Sequence, residues 1–523
     1  MDHRNASWRL STAGASLLAI LIASPRPALP QTPASVLTWH NDNARTGRNL
    51  NETTLTPTNV NSKQFGKLFS RAVDGQVYAQ PLYVPNVDIP GLGNHDVVYV
   101  ATEHDSVYAF DAEGTLTRPL WHVSFINPAQ GITTVSTAGS SCPSLKPEVG
   151  ITGTPVIDST TGTLYVVAET NHKGTVEQHL HAMDIASGEE KFGGPVLIQA
   201  AVSGVAFDPT LIQRPGLLLL NGVVYLSYAS LCSPHPYHGW VLGYNAQNLQ
   251  QQEAVFTTTP QGKRGGIWQS GAGLAADQNG NIYFMDGDGT FDANTGGSDY
   301  GMSMIRLSIS SDGLTVADYF TPFNEAKLSV VDKDLGSGGV LVLPTQRGPY
   351  PHEILGADKE GKIFLVDRDN MGKFNPTRNH IVQTLPTSAS AYYSSPAYWR
   401  GRVYYSGVND YLRVYSLIQG RLSTSPVSKS ATKYGYPGST PSISANGATS
   451  SIVWAIQLVA GDAPAVLHAY DATNLANELY NSRQAGSRDQ PGVGIKFAVP
   501  TVANGRVYIG TETELDAYGL LTQ

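Results

Sequence analysis

The sequence predicts an all-β fold: an eight-bladed β-propeller made of four-stranded antiparallel blades. Three observations lead there. One unit plan recurs eight times between Gln80 and Leu520, and a repeated unit that cannot bury both faces of its sheet must stack on its neighbours around an axis. Among 523 residues, 53 are glycine, 32 proline and 26 tyrosine, while charged residues make up only 15%; that mixture favours short strands and tight turns over helices. The eighth unit stops short of a fourth strand, and a spare strand, "FGKLFSRAVDG" at Phe65, lies ahead of the first. Pairing the two closes the ring and removes exposed strand edges.

The chain opens with Arg4 and Arg9, then the apolar run "AGASLLAILIA", Ala13 to Ala23, then "SPRPALPQTPAS". This is the order of a secretory signal. Eleven residues are too few to span a bilayer, which takes about 20. Residues 1–30 are therefore expected to be a cleaved signal peptide, and residues 31–523 a single propeller domain in the periplasm or outside the cell. No cysteine stands near the expected cleavage point, so a lipid anchor of the bacterial lipoprotein kind is not expected. The two cysteines, Cys142 and Cys232, either pair in an oxidising compartment or stand as separate thiols. No C-x-x-C-H occurs, which excludes covalent c-type haem. A formal net charge of −8 offers no basic face for nucleic acid.

Next comes "TWHNDNARTGRN", dense in hydrogen-bonding groups. Arg45 can hold a ligand carboxylate through two N–H groups, or the segment can be a loop pinned under the ring. The repeats follow, starting at Gln80, Gly153, Arg214, Gln269, Gly336, Ser394, Ser439 and Ala498. In each, a short apolar run meets a Gly- or Asn-containing turn. A second run carries an aromatic near its middle: Tyr99, Tyr165, Tyr225, Tyr283, Phe364, Tyr404, Trp454 and Tyr508. A third run often ends in Ala-x-Asp, as in "YAFDAEG" and "HAYDATN". Apolar residues alternate along several runs, as half-buried strands require.

These units, with turns such as "ASGEEKF", resemble the PQQ-type propeller repeat. That family includes quinoprotein alcohol dehydrogenases and the non-enzymatic outer-membrane assembly scaffold BamB, so the repeat points to a fold more than to a function. The fourth unit, "RGGIWQSGAGLAADQNGNIYFMDGDGTFD", is similar to the dehydrogenases' fourth blade. The resemblance puts Asp288 on the calcium-ligating asparagine and Trp268 on the flat floor beneath the quinone. "FTPFNEAKLSVVDKDLGSGG" places Asp334 on the catalytic aspartate, with Asp332 its close competitor. "ADKEGKIFLVDRDNMG" places Lys359 on the basic residue that contacts the quinone. The implied activity is oxidation of an alcohol or sugar with PQQ and calcium. In it, an aspartate takes the alcohol proton, the metal polarises the quinone and lysine faces the developing negative charge.

Two features depart from the family. Its adjacent cysteine pair is reduced to the lone Cys142 of "SSCPSLKPE", and its blade-three calcium glutamate falls on Cys232, Ser233 and Pro234. Glu169 could replace that glutamate only by rearrangement. His235 and His238 in "SPHPYHGW" are further candidates for ligand contact. His179 and His181, at period two on one strand face, either share a metal or stack between blades. Alternatives to the oxidoreductase are a non-catalytic propeller that binds a ligand or protein, and a glycan hydrolase or lyase using the same face. The expected partner is a small polar molecule or sugar at the axial face, or a protein.

Overall fold

The structure, a computed structural model, describes residues 1–2, 34–138, 145–230, 236–310 and 313–522. Among them the strands form eight sheets of four to six strands and one two-stranded hairpin. Each sequence unit makes one of the larger sheets. The fourth, for example, runs Ala275–Ala276, Ile282–Met285, Met304–Ser310 and Gly313–Phe320, paired antiparallel in that order. The eighth takes its outer strand from the other end of the chain. Phe65–Ala72 pairs antiparallel with Glu514–Leu520, from Phe65 opposite Leu520 to Ala72 opposite Glu514.

Alternation along the strands builds the core between sheets, because successive side chains leave a strand on opposite faces. Leu217 and Val224 pack toward the second sheet, with Tyr165 and Val167. Their neighbours Leu218 and Tyr225 pack toward the fourth, with Ile282 and Phe284. Further clusters join the fourth sheet to the fifth, the fifth to the sixth, the sixth to the seventh and the seventh to the eighth. Another joins Tyr508 and Leu515 of the eighth sheet to Val97 of the first and Leu164 of the second. Burial therefore runs from sheet to sheet and returns to its start.

The recurring tyrosine has a second task. The Tyr99 hydroxyl donates to the Ile185 carbonyl at 2.9 Å, Tyr165 to Ala246 at 2.8 Å, Tyr404 to Ala472 at 2.7 Å and Tyr508 to Ala112 at 3.0 Å. Each of these carbonyls lies in the turn after the third strand of the next sheet. A buried ring thus reaches across and ties its polar tip to a neighbour, as a buried tyrosine requires.

The segment before the repeats is a hub. Its backbone or side chains bond to the eight sheets in chain order. Val36 pairs with Tyr83 at 2.9 Å, and the Leu37 carbonyl accepts from Ile157 at 2.8 Å. The Asn43 amide donates to Leu219 at 2.9 Å. Asn43, Ala44, Thr46 and Gly47 carbonyls then accept from Ala276, Val342, Tyr398 and Ile443, at 2.7, 2.9, 2.9 and 2.7 Å. Asn49 donates to the Val502 carbonyl at 3.0 Å. Gly47 is needed here: its φ is +66°, and a Cβ would come within 2.2 Å of the His40 ring. Such a position excludes ordinary side chains. His40 in turn bridges the Arg45 and Pro441 carbonyls, each at 2.9 Å.

Candidate functional site

A cavity of about 510 Å³ is lined by Trp268 and Asp334, each ahead of the first strand of its sheet, and by Asp288 and Lys359, each in the turn between the second and third strands. The turn carrying Asp288 follows Ile282–Met285 and is held by backbone pairing to the "RGG" segment: Gly265 N–H donates to Asp288 O at 2.8 Å, and Gly287 N–H to Gly266 O at 2.9 Å. Glycine permits the approach, since a Cβ on Gly289 would lie 2.5 Å from the Gly265 nitrogen. This fixes the Asp288 N–H on Asp334 Oδ1, at 2.9 Å. Lys359 Nζ lies 2.5 Å from Asp334 Oδ2 and 2.9 Å from Asp332 Oδ1, and its own N–H donates to the Asp334 carbonyl at 3.0 Å. Arg264 pairs with Asp288. Residues far apart in sequence thus form one charged group.

Its electrostatics follow from burial. Asp334 is buried, and desolvation raises its carboxyl above the usual range against the pull of the Lys359 ammonium. Burial alone would lower Lys359, but the Asp334 and Asp332 carboxylates outweigh it and hold the amine above the ordinary lysine value. Lys359 therefore stays charged at any physiological pH. Oxygens of Asp288, Asp332 and Asp334 lie within 4.8 Å of one another, the only such donor group among the described residues. Three hard oxygen donors suit calcium or a similar cation.

The remaining sequence candidates lie elsewhere. Arg45 is fully buried in the hub, where its nitrogens donate to Leu274 O and Trp39 O at 2.8 Å, Thr38 Oγ1 at 2.8 Å and Leu217 O at 3.3 Å. This corrects the expectation of a ligand carboxylate, because backbone carbonyls already take the guanidinium. His238 turns its Nδ1 onto the Thr259 carbonyl at 2.8 Å, while its neighbour Tyr237 lines the cavity. Glu169 is buried against Gln178, whose amide donates to it at 3.2 Å, and it does not join the aspartates. His181 pairs with Glu190 at 2.5 Å and stacks on Phe125, leaving its ring 6.3 Å from that of His179. His235, Cys142 and Cys232 lie outside the described residues.

Sequence reasoning missed Arg214, Lys496, Tyr393, Tyr436 and Phe497, which complete the cavity wall. Each sits at or just ahead of the first strand of its unit, as Trp268 does. That shared position is the signal that could have found them.

No protein-family model and no curated protein sequence matches the chain. Solved structures do match in fold. The quinohemoprotein alcohol dehydrogenase from Comamonas testosteroni is 13% identical, with a TM-score of 0.60 over 94% of this chain and 81% of that one. A europium-containing methanol dehydrogenase is 12% identical, with a TM-score of 0.62 over 93% of this chain and 98% of the other. BamB from Moraxella catarrhalis is 12% identical, with a TM-score of 0.51 over 87% and 99%. Identities this low speak for architecture, and on architecture the evidence agrees: the chain has the β-propeller fold of the PQQ-type proteins.

Proposed function

We propose that this chain is an exported, eight-bladed quinoprotein-like oxidoreductase that oxidises an alcohol or sugar in the axial cavity. The observation that carries the reading is the contact of Lys359 with Asp334, 2.5 Å apart, beside Asp288. The residues fit PQQ with calcium: three carboxylates offer oxygen to the metal, Trp268 offers a flat apolar face, and Arg264 and Lys359 offer cations to an anionic quinone. A cavity of about 510 Å³ is of the size that takes such a molecule. When bound, that pair would supply a two-electron acceptor.

The chain's own residues would do the rest. Asp334 would accept the proton of the substrate hydroxyl, since each carboxylate oxygen keeps an acceptor site beside its present donor. Lys359 would hold Asp334 in place and present a permanent positive charge where negative charge gathers. Trp268 would orient a flat or ring-shaped molecule, and the aromatic wall would exclude water. Residues 31–523 would act in the periplasm or outside the cell; among the described residues no helix is long and apolar enough to cross a membrane.

The test is titration of the mature protein with PQQ and calcium, followed by absorbance and thermal shift, with dye reduction as the activity readout. Saturable binding and alcohol-dependent dye reduction, lost in Asp334→Asn, are expected. No binding at millimolar calcium would overturn the reading. The second reading, a non-catalytic binding propeller, is favoured by the pairing of Asp288 and Asp334 with Arg264 and Lys359, which satisfies those carboxylates without a metal.

A further inference from the structure

Three arginines are buried among the described residues: Arg45, Arg71 and Arg214. Arg45 donates to carbonyls of the hub segment and two sheets, and Arg71 donates to the Ser70, Gly114 and Leu116 carbonyls. Arg214 is 4% exposed yet has no hydrogen-bond or ion-pair partner among the described residues. Its guanidinium lies between two rings instead, 5.6 Å from the centre of Trp268 and 4.6 Å from that of Phe497. A buried charge without a partner is costly, and proteins retain one where a ligand completes it.

Lys496 stands on the same cavity wall, 5.8 Å from the Phe497 ring. It too has no carboxylate within ion-pair reach among the described residues. Burial first, and then the Arg214 charge, push its amine down to about 8 against a smaller opposing pull from Glu103. On the acidic side of the cavity each carboxylate has a cation partner, Arg264 for Asp288 and Lys359 for both Asp332 and Asp334. On the cationic side the nearby carboxylate, Glu103, acts on Arg214 and Lys496 only from beyond ion-pair reach and accepts from Gly150 N–H and the Thr152 hydroxyl instead. Beside it, Tyr393, Tyr436 and Phe497 form an aromatic cluster, with Tyr393 and Tyr436 ring centres 5.4 Å apart.

We propose that Arg214 and Lys496 are the carboxylate-binding end of the cavity, and that the ligand is an organic acid bearing hydroxyl groups, a sugar acid or hydroxy acid. A guanidinium and an ammonium together suit a carboxylate. The aromatic cluster gives the organic body a surface to lie on, which an inorganic anion does not need. The inference that the acid is also a substrate rests on the oxidoreductase reading; the binding does not.

The experiment is calorimetric titration of the mature chain, without added quinone, with sodium galacturonate, gluconate and glycerate, each against its neutral counterpart galactose, glucitol or glycerol, and with inorganic phosphate. At least one acid is expected to bind with saturation, about tenfold or more tighter than its neutral counterpart and tighter than phosphate. Arg214→Met and Lys496→Met are each expected to weaken the acid about tenfold and leave the neutral compound unchanged. Lys496→Met keeps the test sound if the arginine variant does not fold. Equal binding of acid and neutral compound, phosphate binding as tightly as every acid, or wild-type affinity in both variants would overturn the proposal. So would displacement of the bound acid by PQQ, since the two cations would then belong to the quinone. Acid binding without dye reduction would leave this site standing and sink the oxidoreductase reading alone.

Discussion

Arg45 and Arg214 are the same side chain, buried at two places in the molecule. In the hub, Arg45 meets carbonyls from its own segment and from the third and fourth sheets. At the cavity, Arg214 meets two aromatic rings and open space. The contrast separates two uses of buried charge. One is satisfied by the fold and secures it; the other is left for a visitor. A small void of about 10 Å³ is lined by Arg214 and by Trp39, the hub residue whose carbonyl accepts from Arg45.

That contrast can be broken most forcefully at the hub. Arg45→Met strands several buried carbonyls, and a loss of about 3 kcal/mol or more is expected, read from denaturant unfolding with the slope unchanged. If the loss were under ~1 kcal/mol, the hub would not secure the ring. Glu103, beside the cavity, gives the next largest effect. It is fully buried, accepts from Gly150 N–H at 2.9 Å and Thr152 at 3.0 Å, and feels Arg214 and Glu148, yet burial still raises it from 4.5 to about 7. The folded state then holds a proton that the unfolded chain has released. Its stabilising share is full below pH 4.5 and lost as pH rises to about 7, on the order of 3 kcal/mol. Stability curves over that window should steepen with Glu103 and flatten in Glu103→Gln. Tyr508→Phe removes one sheet-to-sheet tie, to Ala112, and should cost about 1 kcal/mol in the same assay. Arg214→Met should change stability by less than ~1 kcal/mol or raise it, because an apolar chain replaces an unpaired charge. A large loss there would erase the difference from Arg45.

The fold was legible because strands write burial into alternation, and the aromatic at mid-strand marked each unit from Tyr99 to Tyr508. The pairing of Phe65–Ala72 with Glu514–Leu520 was legible as one strand missing and one to spare. Asp288, Asp334 and Lys359 were found through resemblance, and the structure does bring them together. Arg45 was left between a ligand contact and a pinned loop because a sequence displays donors and hides their acceptors; nothing in "TWHNDNARTGRN" says that Leu217 and Leu274 will supply carbonyls. Arg214, Lys496 and Tyr436 escaped for a related reason. Each heads a different unit, and their company exists only after the sheets have come round to meet.

The hub has a kinetic consequence. Residues 36–49 bond to every sheet in turn, and the strand after them waits for Glu514–Leu520. A chain threaded out amino end first presents its keystone before any of the arch exists. The mean sequence separation of its contacts is therefore large, which slows assembly. For as long as synthesis lasts, the keystone's polar groups and the open strand edges remain exposed to capture by other chains.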